Sequence, residues 1–176
     1  MSVFVEETPI EGCFLVRFSK HEDKRGYFQR KYCDSCFKSK GLNTNWAQCN
    51  VSLNHHKATF RGFHYQESPF EEIKLVTCVK GSVQDAIIDI RVNSSTYGDT
   101  FSVELNESDN TSIYIAKGVA HGYLTLEDSS VILYNVSSQY SSESTRGVSL
   151  YDPKIDIAWK IKPEVISEVD LKWPSL

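Results

Sequence analysis

Arg61 and His64 stand three residues apart in Thr59-Phe60-Arg61-Gly62-Phe63-His64-Tyr65-Gln66, an aromatic stretch that reads as extended chain, where Gly62 would let a ligand approach the backbone. Lys74 follows ten residues after His64, inside the apolar run Ile73-Lys74-Leu75-Val76-Thr77-Cys78-Val79. A lone histidine in a strand is most often a hydrogen-bonded core or rim residue. A histidine, an arginine and a lysine on two neighbouring strands of a barrel are harder to place that way. Burying unpaired cations is costly unless an anion binds between them, so the trio points to an anion pocket.

Two other clusters have ligand or redox chemistry as an alternative. The five histidines, His21, His55, His56, His64 and His121, contain no His-x-His pair, and adjacent His55 and His56 would point to opposite faces of a strand. They are read as part of a solvated turn, Asn54-His55-His56-Lys57, and no metal is expected. Cys33-Asp34-Ser35-Cys36 has C-x-x-C spacing, but the second ligand pair of a zinc site and the βαβ setting of a thioredoxin-type site are both missing. The pair is read as two cysteines on a short helix.

The elements that must position these residues are mostly strands. Ile73 to Val79 and Val83 to Ile90 flank Lys80-Gly81-Ser82, which predicts a hairpin, and further β segments are predicted at Thr100–Leu105, Thr111–Ala116, Gly122–Leu126 and Ser130–Val136. Helix is predicted only near Asp34–Lys40, closed by Gly41, and in the tail around Pro163–Val169. Many short strands at nearly even spacing, with 12% aromatic residues, predict an all-β sandwich or barrel. The 176 residues fit one domain, residues 1–176.

Nineteen basic and 23 acidic residues leave a net charge of −4, which argues against nucleic acid or an anionic membrane as main partner. No apolar stretch reaches the ~20 residues of a membrane span, and the start lacks a basic, cleavable apolar segment, so a cytoplasmic location is expected. Five cysteines in a chain of this size do not suggest a disulfide framework.

Eight blocks, in order, resemble the nucleotide-sugar epimerases typified by dTDP-4-dehydrorhamnose 3,5-epimerase. They are Asp23-Lys24-Arg25-Gly26-Tyr27-Phe28, Gln48-Cys49-Asn50-Val51-Ser52, Phe60 to Gln66, Glu72 to Cys78, Asp85 to Arg91, Lys117 to Tyr123, Tyr134 to Tyr140, and Ile166-Ser167-Glu168-Val169-Asp170. The resemblance implies a cupin-like jelly roll with short peripheral helices, working without metal or cofactor. It implies inversion of C3, C5 or both in a nucleotide-linked 4-keto-6-deoxy hexose, on the route to a deoxysugar for surface polysaccharide.

That chemistry needs a base for the acidic α-proton, a donor for the enolate oxygen and an acid on the opposite face. By resemblance His64 is the base, an imidazole being suited to neutral pH. Asp170, with Asp85 as second candidate, orients it. Lys74 stabilises the enolate and Tyr134 returns the proton. Arg25 and Arg61 grip the diphosphate. Gln48, Asn50 and His121 contact nucleotide or sugar, and Tyr140 stacks on the base.

The chain departs from the family type at Arg30, where a Glu is usual, at Arg146 near another missing Glu, and at Val169 in place of a Lys. The family also implies a homodimer exchanging strands at the N-terminal edge. The alternatives are a mono-epimerase or 3,4-ketoisomerase on another nucleotide sugar, such as a CDP-linked one, and a barrel that binds a sugar nucleotide without turnover.

Overall fold

The computed structural model describes residues 2–176. In chain order the strands are β1 (Val3–Glu7), β2 (Phe14–Phe18), β3 (Lys20–Asp23), β4 (Gly26–Gln29), β5 (Gln48–Asn54), β6 (Thr59–Gln66), β7 (Lys74–Lys80) and β8 (Ser82–Asp89). They continue with β9 (Thr100–Asn106), β10 (Thr111–Ile115), β11 (Val119–Thr125), β12 (Ser130–Val136), β13 (Thr145–Gly147) and β14 (Val165–Ile166). One helix, α1 (Asp34–Ser39), lies between β4 and β5, and a 3-10 turn covers Asp170–Lys172.

Two sheets face each other as a cupin-like jelly roll. The first runs β1-β2-β10-β7-β12-β5 and the second β13-β6-β11-β8-β9, with β14 added to β6 in parallel. Side chains alternate along each strand, so every second residue enters the space between the sheets. Val76 and Cys78 of β7, Val83 and Ile87 of β8, Val119 and Tyr123 of β11, and Ile132 of β12 fill it with apolar contacts. Continuing the same alternation, Lys74, Asp85, His121 and Tyr134 fall on those inward faces too. The site is therefore the polar end of the core, made by strands that are apolar at their other end.

The outer faces are also covered, which is why β8, β10 and β11 are buried along their whole lengths. Phe37 of α1 packs with Val16, Phe18, Leu75 and Tyr114 behind the first sheet. Full burial of one such ring is worth about 1.5–3 kcal/mol. The C-terminal segment lays Ile157, Trp159, Ile161 and Ile166 over Phe60, Phe63, Ile88 and Leu124 behind the second. Helix α1 ends where expected, with Gly41 in the left-handed region at φ +70°.

Three expectations are corrected. Lys80-Gly81-Ser82 is not a hairpin: β7 pairs with β10 and β12 while β8 pairs with β9 and β11, so the turn is a corner between sheets. The tail around 163–169 is not helical, because Val165 and Ile166 are β-branched and pair with Thr59 and Phe60. The strand expected at Gly122–Leu126 begins at Val119, which brings His121 inside it. Among the described residues no helix is long and apolar enough to cross a membrane.

Candidate active site

A cavity of about 790 Å³ opens between the sheets at their polar end, and Gln48, Asn50, Arg61, His64, Lys74, His121, Tyr134, Tyr140 and Asp170 all line it. Arg25 does not. It lies on the β3–β4 hairpin, paired with Asp23 at 2.6 Å, its side chain 88% exposed.

Strand β6 delivers two of these side chains through a local irregularity. His64 lies opposite His121 and Arg61 opposite Tyr123, so three steps along β6 match two along β11. A regular strand would send residues 61 and 64 to opposite faces, but the extra residue turns both to the cavity. Gly62 permits this close passage. Its φ is +138°, and a Cβ there would lie 2.4 Å from the Cα of Gly122.

His64 Nε2 is 2.6 Å from Asp170 Oδ1, which also accepts from Trp173 Nε1 at 3.2 Å. Burial pushes the Asp170 carboxyl up, but hydrogen bonding to His64, Ser167 and Trp173 outweighs it and holds the group below the usual carboxylate range. Asp85 has a different partner. Its Oδ2 is 2.8 Å from His121 Nε2, and its buried Oδ1 has no hydrogen-bond partner. Of the two carboxylates considered for His64, Asp170 is the one in contact.

Lys74 and His64 do not lie on neighbouring strands: β6 and β7 belong to different sheets and meet across the cavity. Lys74 Nζ donates to the His64 carbonyl at 3.1 Å and pairs with Glu72 at 3.0 Å. The lysine is thus a paired buried cation, held between the two sheets, whereas Arg61 is exposed rather than buried and its Nε donates to the neutral amide oxygen Asn54 Oδ1 at 2.8 Å. Tyr134 enters from β12, with its ring centroid 6.4 Å from that of His121. Burial, then the neighbouring Tyr123 and Asp85, push its phenol well above the ordinary value despite Arg61, so it stays protonated.

Two contributors were not singled out from the sequence. Glu72 forms the Lys74 pair, and two residues apart on extended chain is the spacing that places side chains on one side. Gln66 holds the rim: its amide donates to Gln139 O at 3.1 Å and to Glu72 at 2.8 Å, and its oxygen accepts from the Ser141 amide at 2.7 Å. Both backbone neighbours of Tyr140 are fixed by that one side chain. Of the three departures, Val169 lines the cavity, whereas Arg146 pairs with Glu67 at 3.0 Å and Arg30 donates to Cys33 Sγ at 3.8 Å, both outside it. His55 and His56 are exposed. Among the described residues no three His, Cys, Asp or Glu side chains converge as a metal ion requires.

The sequence profile described as dTDP-4-dehydrorhamnose 3,5-epimerase matches residues 7–176. This chain belongs to that family. A dTDP-4-dehydrorhamnose 3,5-epimerase of Sinorhizobium fredii is 39% identical over 99% of this chain and 90% of its own length. Among solved structures, the dTDP-4-dehydrorhamnose 3,5-epimerase of Bacillus anthracis, with TDP and PPi bound, superposes with a TM-score of 0.96 at 28% identity, covering 99% of this chain and all of that one. A 3'-monoepimerase from Streptomyces bikiniensis in complex with dTDP-quinovose gives 0.91 at 30% identity, covering 97% of this chain and 86% of that one.

Proposed function

We propose that this chain inverts C3, C5 or both of a nucleotide-linked 4-keto-6-deoxy hexose by proton abstraction and reprotonation through an enolate, within deoxysugar biosynthesis. It is then an isomerase, its catalytic residues His64, Tyr134, Lys74 and Asp170. The observation that carries the reading is the placement of His64 and Tyr134 on opposite sheets of one cavity, with Lys74 reaching from the Tyr134 sheet to the His64 carbonyl.

Asp170 engages Nε2 of His64 as an acceptor, which leaves the Nδ1 lone pair as the base. Nδ1 removes the proton α to the C4 ketone, and Lys74 holds the oxygen as negative charge develops on it, a contact worth most in a water-poor cavity. Tyr134, protonated and on the other side, gives its proton to the carbon. Delivery from the opposite face inverts the centre. Arg61 grips the diphosphate, Gln48, Asn50 and His121 contact nucleotide and sugar, and Tyr140 stacks on the base.

Arg25 enters this scheme from a second copy. Among the described residues the β3–β4 hairpin pairs with no other strand, and it carries Tyr27 and Phe28 half exposed or more. The homodimer reading places this hairpin over a partner's cavity, where Arg25 completes the diphosphate site. The chain works in the cytoplasm, as one domain over residues 1–176.

Incubation with dTDP-linked and CDP-linked 4-keto-6-deoxyglucose in deuterated water tests the reading. Label at both C3 and C5 supports double inversion and label at one carbon a mono-epimerase. No label with either nucleotide, while dTDP still raises the melting temperature, leaves a barrel that only binds.

A further inference from the structure

Behind the first sheet, away from the cavity, four side chains form a cluster that the epimerase reading does not use. Cys33 is the residue just before the first turn of α1, its side chain making no capping bond, and Cys36 sits three residues on, a spacing that brings two side chains to one face of the turn. Arg30 Nη1 donates to Cys33 Sγ at 3.8 Å, and Ser35 Oγ is 3.4 Å from the same sulfur. Both cysteines are partly exposed, unlike Cys13 and Cys78, which are buried.

We propose that Cys33 and Cys36 are a reversible dithiol–disulfide pair, with Cys33 as the attacking thiol, Cys36 as the resolving one, and a low-molecular-weight disulfide as oxidant. The Cys33 thiolate attacks one sulfur of the reagent; its S–S bond breaks and one thiol leaves, taking up a proton. Cys36 then loses its proton and attacks Cys33 Sγ, which expels the second thiol and closes the internal disulfide. Two protein thiols are oxidised and one disulfide is reduced to two thiols, so electrons and protons balance.

The two sulfurs differ in the way these roles require. The Ser35 hydroxyl, then the amide and thiol of Cys36, with Arg30 further off, lower the Cys33 thiol to about 7, while the contact with Cys33 raises Cys36. At pH 6 the thiolate fraction of such a thiol exceeds that of an ordinary one near ~8.5 by roughly 30-fold. Its weaker nucleophilicity returns about a factor of five, leaving roughly sixfold faster attack. The missing βαβ setting concerns a fold that docks protein substrates. A small disulfide needs only access.

The test uses the full chain carrying Cys49→Ser, to silence the other exposed thiol, with glutathione disulfide as probe. Mass spectrometry with peptide mapping should find a Cys33–Cys36 disulfide, reversed by dithiothreitol. Cys36→Ser should hold one glutathione on Cys33, and Cys33→Ser should react roughly sixfold more slowly at pH 6. Oxidation that stops at a mixed disulfide in the unaltered pair overturns the proposal, and so do equal rates for the two single variants. Because both thiols lie outside the cavity, none of these outcomes depends on the epimerase reading.

Discussion

Asp170 Oδ1 and His64 Nε2 meet at 2.6 Å although 106 positions separate them, so the C-terminal 3-10 turn completes a pair whose other half is in β6. Asp170→Asn keeps the shape and removes the charge that fixes the imidazole and stabilises its protonated form. A loss of about 10²–10⁴ in kcat with little change in KM is expected, measured by deuterium exchange at the substrate. The acid stability of the protein should shift as well. The folded-state carboxyl is held below its ordinary value, so its contribution is present above ~pH 4 and is lost as pH falls. Urea unfolding of Asp170→Asn should show a flatter acid limb.

Opposite placement of His64 and Tyr134 makes removal and delivery of the proton separable. With Tyr134→Phe, His64 can still take the α-proton and return it to the same face. Solvent deuterium should enter the substrate with retention while inversion falls by about 10²–10⁴. His64→Asn should stop both. Equal loss of exchange in the two variants would place Tyr134 on the same side as the base.

Exposed Arg25 gives the dimer reading a complementation assay. Arg25→Ala and His64→Asn homodimers should each be inactive or nearly so. If Arg25 serves the partner's cavity, subunit exchange yields mixed dimers in which one of two cavities has both residues intact, and activity reappears on mixing. No recovery in a mixture shown to exchange subunits would keep Arg25 within its own chain.

Much of the fold was legible in runs such as Leu75-Val76 and Val131-Ile132-Leu133, whose β-branched and apolar residues leave strand as the economical reading. The partners of those strands were not legible. Lys80-Gly81-Ser82 looks alike whether its flanking strands pair or part to different sheets, and only Gly81, at φ +74° with Ser130 against it, marks the corner. Strands β3 and β4 were missed because they are short, polar and largely exposed, and β5 because its alternating Cys49, Val51 and Leu53 are set among polar residues. Arg61, His64 and Lys74 were found from residue type and spacing, but their common cavity depends on an extra residue in β6 and on two sheets meeting. Neither is a local property. Tyr134, Asp170 and Tyr140 came from family resemblance, since a tyrosine in an apolar strand otherwise reads as core.

Gln66 secures both neighbours of Tyr140, which links a strand residue to the rim that would stack on the base. Tyr140→Ala removes the ring, and a stacking contact worth ~1–3 kcal/mol should raise KM by roughly 5- to 150-fold with kcat nearly unchanged. Gln66→Ala should raise KM in the same direction by loosening the loop. Steady-state kinetics that showed kcat falling more than KM rises for Gln66→Ala would assign it to the Glu72–Lys74 pair instead.

Cys13 and Cys78 lie in the core and do not line the cavity, and burial raises their thiols to about 11 and about 12 in the folded chain. An unfolded thiol titrates near ~8.5. The native state therefore keeps protons that the unfolded state gives up, and the stability these thiols contribute is present below ~8.5 and lost as pH rises toward 11 and 12. Each thiol adds a slope of about −1.4 kcal/mol per pH unit across that window. Cys78→Ala lowers stability at every pH through the cavity it leaves, but the cavity cost does not vary with pH. Unfolding free energies measured between pH 9 and about 11 should fall less steeply in the variant, by roughly that slope. Parallel curves would mean that Cys78 titrates alike in both states and that its burial carries no charge penalty.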